Sequence, residues 1–175
     1  MNKTRNFIRS MIVTLAGTLT TLVFAQTPAI NTKEKNWVGA YDVDSAKGTV
    51  TDPRRGLVWD RCAMGQSGAD CATGTASSFT LQEALGAASA LGSYKGFNDW
   101  RLPSLDELEE LGKEYRSSPD IGELAFPLTP AAKFWTLHPA CCGVNLTWQV
   151  NFSNGSSSLD VRTNANRVRL VRVEK

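Results

Sequence analysis

Apolar residues recur at helical spacing in two stretches of the chain. In TLQEALGAASALG, residues Leu81, Ala84, Leu85, Ala88 and Leu91 share one face. Thr80 opens this helix as its N-cap. Glu83, three residues on, completes a capping box in which each side chain serves the other's backbone N–H. Gly92 is a natural stop. The same grammar returns in NDWRLPSLDELEEL (98–111). Ser104 caps, Glu107 closes the box, and Leu105, Leu108 and Leu111 form the stripe to be buried. Asp106 and Glu107 sit in the first turn, where the helix dipole favours negative charge. Pro103 fixes its own φ and pushes Leu102 toward an extended conformation, so the chain is handed to Ser104 at a set angle. Trp100, Arg101, Leu102, Pro103, Ser104 and Glu107 together read as an architectural motif. Trp100 is expected in the core, with Arg101 anchoring a loop or an acid by its fork of donors.

The remaining pattern is strand and loop. WVGAYDV (37–43) predicts a first strand, TDPRRG a turn, and GLVWDRC (56–62) a second strand, followed by a cysteine loop through residue 78. SSPDIGELAFPLTPAAK is a long connector, with Ile121, Leu124 and Phe126 as its apolar anchors. FWTL (134–137) is a short strand and HPACCGVN a loop. LTWQVNF (146–152) alternates, Asn154-Gly155 makes a hairpin turn, SSSLDV returns, and RVRLVRV (167–173) ends the fold. The fold class is α+β: two helices packed on mixed or antiparallel short strands with long loops, not a doubly wound sheet.

Charge and hydropathy change the picture at the N-terminus. Residues 1–10 carry Lys3, Arg5 and Arg9 and no acid. Residues 11–24 are an uncharged apolar run, and Val23-Phe24-Ala25 suits a signal peptidase. Residues 1–25 therefore read as a secretory signal cleaved after Ala25. The run is shorter than the roughly 20 residues of a spanning helix, and no later segment is apolar enough to cross a membrane. Residues 26–36 are a flexible lead-in, and 37–175 a single domain. Three of the nineteen basic residues leave with the signal, so sixteen face seventeen acids, a balance of −1. Bulk electrostatic binding to nucleic acid has no basis in that balance. Arg162, Arg167, Arg169, Arg172 and Lys175 do crowd the C-terminal end, which a solvated sheet face explains as well as an anion site does.

The cysteines point to an oxidising destination, periplasmic or extracellular. Cys62–Cys71 is the local pairing, and its short loop contributes on the order of 2–3 kcal/mol in the chain-entropy model. Cys141 and Cys142 are adjacent. A vicinal disulfide there would be strained, because neighbouring Cα atoms lie about 3.8 Å apart against a usual window of about 4.4–6.8 Å. Free thiols and cross-pairing stay open beside it.

Catalytic chemistry has little to stand on. His138 is the one histidine, no nucleophile–base–orienter set accompanies it, and no metal-ligand spacing is present. The paired acids Asp106 and Glu107, and Glu109 and Glu110, follow a helix's solvent face. No catalytic residue, metal or cofactor is expected. The better candidate is a ligand surface built on Trp135, His138, Cys141, Cys142, Asn145 and Asn151, since sugars are held by aromatic faces, planar amides and charged forks. Trp135 is expected half-buried. Trp148, alternating with Val150 and Phe152, is expected in the core.

The order GLVWDRC, a cysteine loop, TLQEAL, GFNDWRLPSLDELEEL, AFP, FWT, NFSNG and RVRLVR resembles the Lcl C-terminal domain family over about residues 52–173. That family takes its name from the tail of a bacterial collagen-like adhesin. The resemblance implies a C-type-lectin-like layout in which the N- and C-terminal strands pair, here WVGAYDV with RVRLVRV. It also implies a non-catalytic, adhesin-like role, with a glycan or a surface protein as partner. An exported protein–protein interaction module with no sugar site is the other reading. The Gly-X-Y repeat by which the named adhesin trimerises is absent.

Overall fold

A computed structural model describes residues 37–139 and 145–175. The predicted signal, the lead-in and the Cys141-Cys142 pair lie outside the described residues. The stretch WVGAYDV is two strands. β1 (Trp37–Val38) ends at Gly39, whose φ of +59° turns the chain back into β2 (Tyr41–Asp44). β3 (Thr49–Asp52), which the sequence reading lacks, pairs with β2. TDPRRG then turns the chain into β4 (Leu57–Asp60). β5 (Gln66–Ser67) and β6 (Thr73–Gly74) form a small ribbon inside the cysteine loop. The Cys62–Cys71 disulfide staples that loop with a Cα separation of 5.3 Å.

Both helices start as their capping boxes predict: α1 (Leu81–Ala90) from Thr80 and α2 (Leu105–Ser117) from Ser104. A π-helical turn, Ile121–Ala125, follows. It buries Ile121 and Ala125 but leaves Leu124 53% exposed, so Leu124 is not an anchor. β7 (Lys133–Pro139), β8 (Leu146–Asn151) and β9 (Ser157–Val161) make a three-stranded antiparallel sheet. β10 (Val171–Val173) returns to the first sheet, whose order is β1-β2-β3-β4-β10. The chain is thus α+β, with antiparallel sheets and two helices.

The expected pairing of the terminal strands does not form. Val171 lies opposite Trp59 of β4, and β1 lies at the far edge of the sheet. Short turns lay β1 to β4 side by side in chain order, which leaves the outer edge of β4 for the chain's return. The motif Trp100–Pro103 then extends this sheet. Arg101 and Val171 exchange two backbone hydrogen bonds of 2.9 Å, so Arg101 lies beyond β10.

β7 divides the core, because successive strand residues face opposite sides. Phe134 joins Tyr41, Val50, Trp59, Leu108, Leu111, Phe126, Val150 and Phe152 between the first sheet and α2. Trp135 joins Leu81, Ala84 and Ala88 of α1 with Trp100, Leu102, Val168 and Leu170. Arg169 is fully buried between these layers. Its guanidinium donates to the Asp60 carbonyl at 2.8 Å, the Arg61 carbonyl and the Thr129 hydroxyl at 2.6 Å. Burial lowers its pKa to about 10. Across the turn before β4, Asp52 accepts from Arg54 and Arg55, and both arginines also reach Glu114 of α2. Burial would raise the Asp52 pKa, but the two guanidinium groups outweigh it and hold the carboxyl below its ordinary range.

Candidate functional site

The α2 entrance is tied into the fold by hydrogen bonds. Trp100 is 7% exposed, and its indole N–H donates to the Tyr94 carbonyl at 2.8 Å. The Arg101 fork grips both oxygens of Glu107 at 2.7 and 2.8 Å. The same carboxylate accepts the Ser104 N–H at 2.7 Å, and the Ser104 hydroxyl accepts the Glu107 N–H at 3.2 Å. Burial would raise the Glu107 pKa, but Arg101 and the Ser104 N–H hold the carboxyl below the usual range. Leu102 and Pro103 are buried, and the Pro103 carbonyl accepts from Leu137 N–H at 2.7 Å. Three further acids of α2 are also engaged: Glu110 with Lys113 and Arg55, Glu114 with Arg54 and Arg55, and Glu109 with the Ser157 hydroxyl, while Asp106 is exposed.

The α1 entrance is open. Leu81 and Leu85 of α1, with Arg162, line two adjoining clefts. The first, about 250 Å³, is apolar: Leu81, Leu85, Leu137 and Pro139 surround Thr136, Thr147 and Arg162. The second, about 360 Å³, is polar: Thr80, Gln82, Asn145, Arg162 and Thr163 stand around Leu81 and Leu85. Local folding places these groups. The Leu81 N–H donates to the Arg162 carbonyl at 3.0 Å, and the Arg162 N–H to the Asn145 carbonyl at 3.1 Å. The chain after β9 is thereby tied to both α1 and the start of β8. Arg162 Nε donates to the Leu146 carbonyl at 3.2 Å, while its two terminal nitrogens have no hydrogen-bond or ion-pair partner among the described residues. None of the residues lining either cleft is acidic. The groove thus offers an aliphatic floor, planar amides, hydroxyls and one open guanidinium fork.

The sequence-predicted ligand residues do not meet. Asn145 lines the polar cleft, and His138 is exposed on β7 between cleft residues Leu137 and Pro139. Trp135 is fully buried, not half-buried. Its indole N–H donates to the Phe79 carbonyl at 2.7 Å, so it supports the groove from behind. Asn151 sits at the other end of β8, roughly 20 Å from Asn145 at strand rise. Its side-chain oxygen accepts from the N–H and hydroxyl of Ser153, shaping the hairpin turn. Cys141 and Cys142 lie outside the described residues. Trp148 is only partly buried, unlike Val150 and Phe152. Sequence reasoning missed Arg162, Thr163, Gln82, Thr147 and Pro139 as a group. The one signal was the clustering of arginines near the C-terminus.

The folded pattern that joins these features, from the sheet before the cysteine loop to β10, is that of a small α+β module. The model of the Lcl C-terminal domain matches residues 48–172, well over half of the chain. The chain belongs to the Lcl C-terminal domain family. No curated protein matches it.

Proposed function

We propose that this chain is an exported, non-catalytic binding domain that recognises a glycan, or a cell-surface ligand presenting one, in the groove at the start of α1. The observation that carries this reading is Arg162. Its terminal guanidinium nitrogens stand open beside Asn145, Gln82 and Thr163, over the aliphatic floor of Leu81 and Leu85. Sugars present hydroxyls to amides and forks on one side and C–H faces to apolar surface on the other, and this groove has both halves. The stapled Cys62–Cys71 loop suits an oxidising compartment, and no helix among the described residues is long and apolar enough to cross a membrane. A C-type-lectin-like layout is supported by two helices packed on short strands with long loops, but the terminal strands do not pair as that layout would have them.

The test is a glycan array probed with the mature, oxidised chain and with Arg162→Gln. Binding to a defined set of glycans, lost in the variant, is the expected result. Silence across neutral and acidic panels would leave the protein–protein reading in its place.

A further inference from the structure

The two clefts at the start of α1 adjoin, and their chemistry differs. Leu81, Leu85 and Arg162 line both. In the apolar cleft the threonine hydroxyls are spent on the protein itself. Thr136 donates to the Trp148 carbonyl at 2.8 Å and Thr147 to the His138 carbonyl at 3.4 Å. Among the described residues of this cleft, Arg162 alone keeps a side-chain donor for a ligand. The other walls are Leu81, Leu85, Leu137 and Pro139, and Leu137 is 48% exposed. Such walls suit a compact aliphatic group, which gives up no hydrogen bond on entering. The polar cleft is the converse. The side chains of Gln82, Asn145 and Thr163 have no hydrogen-bond partner among the described residues, whereas the Thr80 hydroxyl is engaged by Glu83. Two planar amides and a hydroxyl are thus available to the hydroxyls of a sugar ring.

Arg162 belongs to both clefts. Its Nε bond to the Leu146 carbonyl, at 3.2 Å, holds the guanidinium and leaves the two terminal nitrogens as an end-on fork. Among the described residues that line the clefts it is the one cation, and none is an acid. The acids nearest to these residues in sequence are occupied elsewhere. Glu83 accepts from the Thr80 N–H and hydroxyl at 2.8 and 2.9 Å. Asp160 accepts from Asn164, Asn166 and Lys133 at 2.6, 3.1 and 3.3 Å. A fork with no carboxylate from its own chain is matched by a carboxylate on the ligand, in two parallel bonds. A polysulfated chain would call for several cations along its length, and the clefts supply one.

Resting on the glycan reading of this groove, we infer that its ligand is an N-acylated sugar acid, one sugar residue that carries both a carboxylate and an acylamino group. The carboxylate lies on the Arg162 fork, the ring hydroxyls face Gln82, Asn145 and Thr163, and the acyl group covers Leu81, Leu85 and Leu137. A sugar acid without the acyl group leaves the apolar cleft to water. A neutral N-acyl sugar leaves the fork unpaired. Only the combination fills both clefts. Two kinds of sugar carry it: N-acylneuraminic acids, with the carboxylate on the ring, and N-acetylmuramic acid, with the carboxylate on a lactyl ether. An N-acyl amino acid shares the carboxylate and an aliphatic group but brings no ring hydroxyls to the amides.

Amide chemical-shift titration of the mature, oxidised chain tests this. The probes are N-acetylneuraminic acid as its methyl α-glycoside, N-acetylmuramic acid, N-acetylglucosamine, glucuronic acid, N-acetylglucosamine 6-sulfate and N-acetylleucine. One of the first two should bind about tenfold or more tighter than each of the other four, and which one does so names the source. Arg162→Gln should remove that preference. Leu137→Ser should weaken the N-acyl sugar acid severalfold and leave glucuronic acid unchanged. Leu137 is exposed, so the variant keeps the fold, which near-ultraviolet circular dichroism verifies. Equal or tighter binding of N-acetylglucosamine, glucuronic acid or the 6-sulfate in the groove would overturn the assignment and leave the glycan reading standing. Equal binding of N-acetylleucine, or a preference that survives Arg162→Gln, would also overturn it. So would silence from all six probes, and the glycan reading falls with it only if the array is silent too.

Discussion

The two helices begin with the same four-residue grammar and end up in opposite roles. T-L-Q-E and S-L-D-E both form complete capping boxes. At α2 the box glutamate is also gripped by Arg101, whose backbone is bonded to β10, and the preceding Pro103 carbonyl is taken by β7. At α1 the box glutamate serves Thr80 alone, and the first turn faces the two clefts with Arg162. Capping chemistry starts a helix. Whether that start becomes architecture or a binding surface is decided by what the rest of the chain brings to it.

Removing the support behind the open start should have the largest effect. Trp135→Ala should cost about 3–5 kcal/mol, because a fully buried indole leaves a cavity and the Phe79 carbonyl loses one of its two donors. Chemical denaturation measures this, and a cost below about 1 kcal/mol would mean the residue is not core.

Next is the lock itself. Arg101→Ala should cost about 2 kcal/mol, since it leaves a partly buried carboxylate without its bidentate partner. It should also change the acid limb. The Glu107 pKa is depressed in the fold, so its contribution is complete above the unfolded value of about 4.3 and is lost as pH falls through the lower folded value. Between about pH 5 and pH 3 the variant should therefore lose less stability than the parent chain. Equal slopes in pH-dependent melting would contradict the pair.

The caps come third. Ser104→Ala should cost about 1 kcal/mol, and Thr80→Ala about the same or less, because the N3 glutamate of α1 has no cationic partner among the described residues to keep in register. A larger cost at Thr80 than at Ser104 would reverse the comparison.

Arg162→Ala should change stability least, by about 0.5 kcal/mol or less, as it gives up one side-chain bond to the Leu146 carbonyl. It should nonetheless abolish ligand binding. A large stability loss with binding intact would make Arg162 structural.

The local features were legible in the sequence, and the distant ones were not. Both capping boxes, the Asn154-Gly155 turn, the Cys62–Cys71 staple and the presence of a strand at β8 follow from nearby residues, but the alternation of β8 does not hold, because Thr147 and Gln149 are buried while Trp148 is partly exposed. Gly39 was absorbed into a strand because WVGAYDV alternates well; its turn shows only in the left-handed φ. β3 is four residues with little apolar content, and it forms because β2 and β4 flank it. The pairing of β10 with β4 depends on which sheet edge is left open once the hairpins have closed. At the site, Asn145 was found from its residue type. Arg162 was visible only as charge, because its neighbours Leu81 and Leu85 read as the inward face of a helix. Trp135 was misjudged because its burial depends on α1 packing behind β7.

The most direct measurement is amide chemical-shift mapping of the isotopically labelled mature chain, titrated with the strongest glycan from the array. Perturbations centred on Leu81, Gln82, Leu85, Asn145, Arg162 and Thr163, with the Arg101–Glu107 entrance unmoved, are what the account predicts. Saturable shifts centred on the α2 entrance or on β1 to β4, with the α1 groove silent, would contradict it.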